Sequence, residues 1–295
     1  MQLVGFLLLG LVGLIDIASA ALSAGCGKAP IITTGSKTIS VSGTQRQFMI
    51  RVPENYQNNK GYKVIFGVHW VGGKMGQVAN GGDTGSKGWK YYGMQKLANE
   101  TVIFVAPQGI GDAWPNQGDR DVAFFDAMID YIDAGLCVET NQRFSIGFSY
   151  GASMTYALAC ARAKKFRGVA VIAGGTMSGC SGGTDPIAYF GIHGIKDGTL
   201  NIGGGRSMRD RFIKNNGCNP LTGAQEPTSG SRTHFTTTAT GCKSGYPMKW
   251  AAHDGGHIQA AADKPAPEEN GDTSWVGPEV WAFWNQPEIA AARSS

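Results

Sequence analysis

Five residues, Gly147-Phe148-Ser149-Tyr150-Gly151, carry the pattern G-x-S-x-G, the spacing of a nucleophile elbow. A serine hydroxyl is a weak nucleophile, so it needs a neighbouring base, commonly a histidine oriented by a carboxylate. The chain has only five histidines: His69, His193, His234, His253 and His257. In chain order, Ser149 is followed by Asp197 in Gly194-Ile195-Lys196-Asp197-Gly198 and by His257 in Asp254-Gly255-Gly256-His257. The order nucleophile, acid, base is one of the known arrangements of such a triad. The chemistry would be acyl transfer: Ser149 attacks, His257 takes its proton, and Asp197 orients the imidazole. Asp185 and Asp254 compete for the acid, but Asp185 precedes its strand and so starts at the wrong edge. His193 and His253 read as packed residues, and His234 has little claim.

The tetrahedral intermediate needs donors for its oxyanion. One would be the Tyr150 N–H, the residue after the nucleophile. The other would come from His69-Trp70-Val71-Gly72-Gly73, where Val71 is preferred over Trp70. Trp70, and Trp114 at the tip of another loop, offer aromatic faces for a planar acyl group or a sugar ring; core packing is the competing role for both.

These residues need a scaffold. Arg143 to Phe148 alternates like a short buried strand, and Ala152 to Ala163, without Gly or Pro, reads as a helix. Ser149 therefore falls on a strand–turn–helix junction, and the two glycines allow strand and helix to approach. Residues 38–43 and 46–52 read as an antiparallel hairpin around Gly43-Thr44. Apolar runs at 63–68, 101–106, 168–173, 187–194 and 248–253 read as strands, the first of them buried on both faces. Helices are expected at 91–99, 121–136, 206–216 and 279–285. On the second of these, residues 122, 125, 128, 129 and 132 form an apolar stripe. The long segment 69–90 and the Thr/Ser/Gly-rich segment 220–245 read as loops. Strands separated by helices predict an α/β fold: a mostly parallel twisted sheet with helices on both faces and an antiparallel N-terminal hairpin.

The chain has 295 residues and a formal net charge of +4, with basic residues scattered. Nucleic-acid binding is a poor explanation for so diffuse a charge. Residues 1–20 are apolar and end in Ala18-Ser19-Ala20, an A-x-A cleavage pattern, so they read as a signal peptide. A membrane anchor is the weaker reading, because no basic flank precedes Lys28, and nothing later resembles a span. Six cysteines in an exported chain suggest three disulfides, with 15 possible connectivities. Cys218 and Cys242 share one segment and are the preferred pair. Asn99-Glu100-Thr101 is a glycosylation sequon. The remainder, 25–287, reads as a single catalytic domain.

Taken together, seven stretches resemble a known family. They are Cys26-Gly27-Lys28, His69-Trp70-Val71-Gly72-Gly73, Ala106-Pro107-Gln108-Gly109, Gly147-Phe148-Ser149-Tyr150-Gly151, His193-Gly194-Ile195-Lys196-Asp197, Asn216-Gly217-Cys218 and Asp254-Gly255-Gly256-His257. The chain looks like a fungal feruloyl esterase of carbohydrate esterase family 1, related to polyhydroxybutyrate-depolymerase-like esterases. The resemblance implies an α/β-hydrolase fold and a secreted enzyme that needs no metal or cofactor. It implies release of ferulic and related hydroxycinnamic acids from feruloylated arabinoxylan, with Ser149, His257 and Asp197 as the triad. Trp70 stands where many relatives have Gly, and Ala152 replaces a frequent third glycine. The rivals are an acetylxylan esterase with the same triad, a serine peptidase, and a non-catalytic carbohydrate-binding protein on the same fold.

Overall fold

The computed structural model describes residues 21–81 and 89–291. The segment 1–20, read as a signal peptide, lies outside the described residues.

Nine strands form one sheet. They are β1 (Gly35–Val41), β2 (Thr44–Arg51), β3 (Tyr62–Val68), β4 (Val102–Pro107), β5 (Val138–Phe148), β6 (Gly168–Ile172), β7 (Ala188–Gly194), β8 (His234–Thr238) and β9 (Met248–His253). Their spatial order is β1-β2-β4-β3-β5-β6-β7-β9-β8. The central run from β4 to β9 is parallel, and β1, β2 and β8 are antiparallel to their neighbours. The parallel strands are apolar because both faces are covered. Along β4, Ile103 and Val105 enter one core cluster and Val102, Phe104 and Ala106 the other.

Seven helices cover the sheet among the described residues: α1 (Met75–Asn80), α2 (Met94–Ala98), α3 (Arg120–Gly135), α4 (Tyr150–Ala161), α5 (Ile202–Asn215), α6 (Val276–Trp284) and α7 (Pro287–Ala290). The expected stripe on α3 is real: Val122, Phe125, Met128, Ile129 and Ile132 all pack in one cluster with residues of α4. Residues of α1, α2, α6 and α7 pack on the opposite face.

Two expectations needed correction. The segment 220–245 is not all loop, because β8 pairs with the length of β9. Its sequence, His-Phe-Thr-Thr-Thr, buries no residue fully, so it lacks the apolar alternation of a half-buried strand. The segment 69–90 contains α1, whose six residues are too few to form a helix without tertiary support. Here Val78 and Ala79 supply that support by burial.

Three disulfides, Cys26–Cys137, Cys160–Cys180 and Cys218–Cys242, leave no free cysteine among the described residues. The third brackets β8. The first joins residues 111 positions apart, so it restrains the unfolded chain most, by about 4–5 kcal/mol in the chain-entropy account.

Candidate active site

The parallel strands end at one rim. Val68 of β3 lies opposite Gly147 of β5, and Gly194 of β7 lies opposite His253 of β9. The loops that follow these strands carry the residues in question.

Ser149 is the N-cap of α4, with φ 55° and ψ −119°. This backbone region costs a non-glycine residue of order 1–3 kcal/mol. The flanking glycines are dictated by space. A Cβ on Gly147 would lie 2.4 Å from the Gly151 carbonyl oxygen, and one on Gly151 would lie 2.1 Å from that of Val68. Both obstacles are backbone, which cannot swing aside. The elbow is thus wedged between its own helix and the end of β3.

The His257 ring bridges the other two groups. Its Nε2 lies 2.8 Å from the Ser149 Oγ, and its Nδ1 lies 2.7 Å from Asp197 Oδ2. The loops meet because the β7–β9 ladder continues past the strands. The Ile195 N–H donates to the His253 carbonyl, and the Lys196 N–H to that of Gly255. Gly194 permits the approach, since a Cβ there would lie 2.3 Å from the Gly255 oxygen.

Asp197 is buried. Burial works to raise its pKa, but hydrogen bonds from His193, His257 and the Leu200 N–H outweigh it and hold the carboxyl well below its ordinary range. The Thr199 N–H also donates to Oδ1. An ionised Asp197 can only accept, so the proton of His257 sits on Nδ1. Nε2 is then left as the acceptor for the Ser149 hydroxyl.

His193, read from sequence as a packed residue, has a second role. Its Nε2 lies 2.7 Å from the Leu200 carbonyl and 3.4 Å from Asp197 Oδ2. It therefore steadies the loop that presents the carboxylate. No spacing rule in the sequence separates it from an ordinary core histidine.

The loop after β3 is held by His69. Its Nε2 accepts the Gly109 N–H at 3.0 Å, so Nδ1 carries the proton and donates to the Trp70 carbonyl at 2.7 Å. Burial depresses the His69 pKa to about 4, so the ring is neutral at ordinary pH. The Gly73 N–H donates to the same Trp70 carbonyl. In a trans peptide the N–H points opposite the C=O, so the Val71 N–H faces away from both of these donors. Tyr150 opens α4, where the first N–H groups have no intrahelical acceptor.

Trp70 is half-buried, meets the Phe148 ring edge-on, and Phe148 in turn packs against His257. Trp114 requires a correction. It is fully buried, its indole N–H donates to the His69 carbonyl at 2.8 Å, and it packs on Phe125. It offers no face to a substrate; a large ring near this rim was better spent filling the space beneath the loop. Asn99 is exposed at the C-cap of α2, with φ 41°. A cavity of about 460 Å³ lined by Arg209, Ile213 and Leu221 runs along the second half of α5, away from this rim.

The chain is similar to named fungal esterases. The chain is 41% identical over 289 residues to feruloyl esterase D of Neurospora crassa, covering 97% of each chain. It is 45% identical over 237 residues to feruloyl esterase C of Emericella nidulans, covering 80% of this chain and 84% of that one. Among solved structures, an acetyl xylan esterase from Aspergillus awamori superposes with a TM-score of 0.56 at 16% identity. That match covers 84% of this chain and 99% of the other, and at this identity it speaks for the fold. No family model matches the chain.

Proposed function

The chain belongs to the fungal feruloyl esterases, and from that premise we propose that it releases ferulic and related hydroxycinnamic acids from the arabinose side chains of plant xylan. The observation that carries the mechanism is the single imidazole within hydrogen-bond reach of both a serine hydroxyl and a buried carboxylate.

Ser149 Oγ attacks the ester carbonyl carbon while His257 Nε2 removes its proton. Asp197, already ionised, stabilises the imidazolium that forms. The oxyanion is received by the N–H groups of Tyr150 and Val71, the second aimed by the clamp on the Trp70 carbonyl. As the tetrahedral intermediate collapses, His257 returns the proton to the departing sugar oxygen. Water, deprotonated by the same nitrogen, then cleaves the acyl-enzyme and restores Ser149. Trp70, edge-on to the Phe148 ring that packs against His257, is the aromatic platform for the hydroxycinnamoyl ring.

The three disulfides suit an oxidising compartment, and no helix among the described residues is long and apolar enough to cross a membrane. With residues 1–20 as the export signal, the reading is a secreted enzyme, and the exposed Asn99 is its glycan site.

The decisive experiment is a panel of methyl hydroxycinnamates and an acetyl ester offered to purified protein. Turnover of methyl ferulate well above that of the acetyl ester is expected. The opposite preference would make the chain an acetylxylan esterase, and turnover of neither would remove the proposal.

A further inference from the structure

We propose that a second subsite, for the neutral sugar chain of the substrate, lies at the same rim between the β1–β2 hairpin and the loop Gln108–Ile110. This rests on the feruloyl esterase reading for the identity of the sugar, but not for the existence of the site. A cleft of about 240 Å³ opens there, walled by Thr38, Gln45, Gln47, Gln108 and Ile110 with Arg46 lining it.

Its position follows from the register. β2 runs antiparallel to β4, and Phe48 lies opposite Pro107, the last residue of β4. Residues 44–47 therefore sit at the rim that also carries Ser149. From β2 to β5 the order is β2-β4-β3-β5. Three inter-strand steps place the cleft about 15 Å along the rim from the elbow. That is beyond the reach of a hydroxycinnamoyl group bound at Ser149, and within the reach of an oligosaccharide extending from its ester oxygen.

Its chemistry is that of a sugar site. Thr38 and Gln47 are cross-strand partners, and with Gln45 they expose hydroxyl and amide groups. Each amide offers a donor and an acceptor together, which matches neighbouring sugar hydroxyls. The cleft's one charged side chain, Arg46, is already committed. Its Nη2 lies 2.7 Å from the buried Asp121 Oδ1, and its guanidinium lies over the Phe124 ring. The cleft thus presents no net charge to a ligand, which disfavours an anion. Ile110, 41% exposed, offers an apolar patch for the C–H face of a pyranose. The cleft is also joined to the reacting loop. The Gln108 amide donates to Asp112 Oδ1, and the Asp112 carbonyl accepts the Gly72 N–H.

The test compares the native chain with the variant Thr38→Ala/Gln45→Ala/Gln47→Ala on two substrates. On a feruloylated arabinoxylan oligosaccharide the variant is expected to lose about tenfold in kcat/KM, through KM, from the missing hydrogen bonds. On methyl ferulate, which cannot reach the cleft, it keeps native kinetics. Unchanged kinetics on both substrates, or an equal loss on both, overturns the subsite. A second arm needs no turnover. Ester-free xylo-oligosaccharide titrated into the native chain should shift the side-chain amide NMR signals of Gln45 and Gln47, and their failure to move overturns the proposal. Shifts in a chain that cleaves no methyl ferulate would keep the subsite while discarding the esterase reading.

Discussion

Gly151 sits so close to Val68 that a methyl group on it would lie 2.1 Å from the Val68 carbonyl oxygen. The second glycine of the elbow therefore sets the distance between the nucleophile and the loop after β3. Gly151→Ala must push backbone against backbone, and is expected to destabilise the fold by about 3 kcal/mol or more. Any folded fraction should have lost activity, because the loop bearing Val71 is displaced relative to Ser149. Urea unfolding and methyl ferulate turnover, measured together, check this. A variant with native stability would show that the elbow has slack.

Ser149 separates chemistry from strain. Ser149→Ala is expected to lower ester hydrolysis by at least about 10⁴-fold, since the attacking oxygen is gone. Ser149→Gly should be as inactive but more stable than Ser149→Ala. The reason is φ 55° and ψ −119°, a conformation in which glycine avoids the cost borne by a side chain. The expected gain is about 1–2 kcal/mol in thermal unfolding. Equal stability of the two variants would contradict the strain argument.

Trp70 should distinguish acyl groups. Trp70→Ala removes a half-buried aromatic face beside Phe148 and leaves the Trp70 carbonyl clamp in place. A fall of about tenfold in kcat/KM is expected for methyl ferulate, with little change for a small acetyl ester. Equal losses on both esters would assign the ring to loop support instead.

The edge strand β8 carries a histidine staple. His234 stacks on Trp275 with 3.8 Å between ring centres, and its two nitrogens lie 2.7 Å from Asp263 and 3.0 Å from Glu279. Burial works to lower its pKa, but the hydrogen bonds to Glu279 and Asp263 prevail and raise it above the ordinary histidine value of 6.5. A raised folded pKa means the charged staple contributes fully below pH 6.5, and its contribution fades as pH rises through the folded value. His69 and His253 act in the opposite sense. Burial lowers them to about 4 and about 3, so they cost stability as pH falls from 6.5 toward those values. His234→Gln should therefore lower the urea midpoint more at pH 6 than at pH 9. A pH-independent difference would dismiss the charged staple.

The sequence alone determined the elbow, the order of Ser149, Asp197 and His257, and the parallel sheet beneath them. These are local matters: a glycine-flanked turn, apolar runs and one helical stripe need few distant contacts to be read. The tertiary structure decided what depends on company. It buried Trp114 under the His69 carbonyl, because an indole near a rim can face either way and only packing chooses. It gave His193 a share in holding Asp197, since those two residues are brought together by how a loop returns on itself. It turned the threonine-rich stretch at 234–238 into a strand, because an edge strand takes its hydrogen bonds from a neighbour its own residues do not announce. Pattern records which backbone a segment favours; the direction a side chain finally faces depends on what the rest of the chain packs against it.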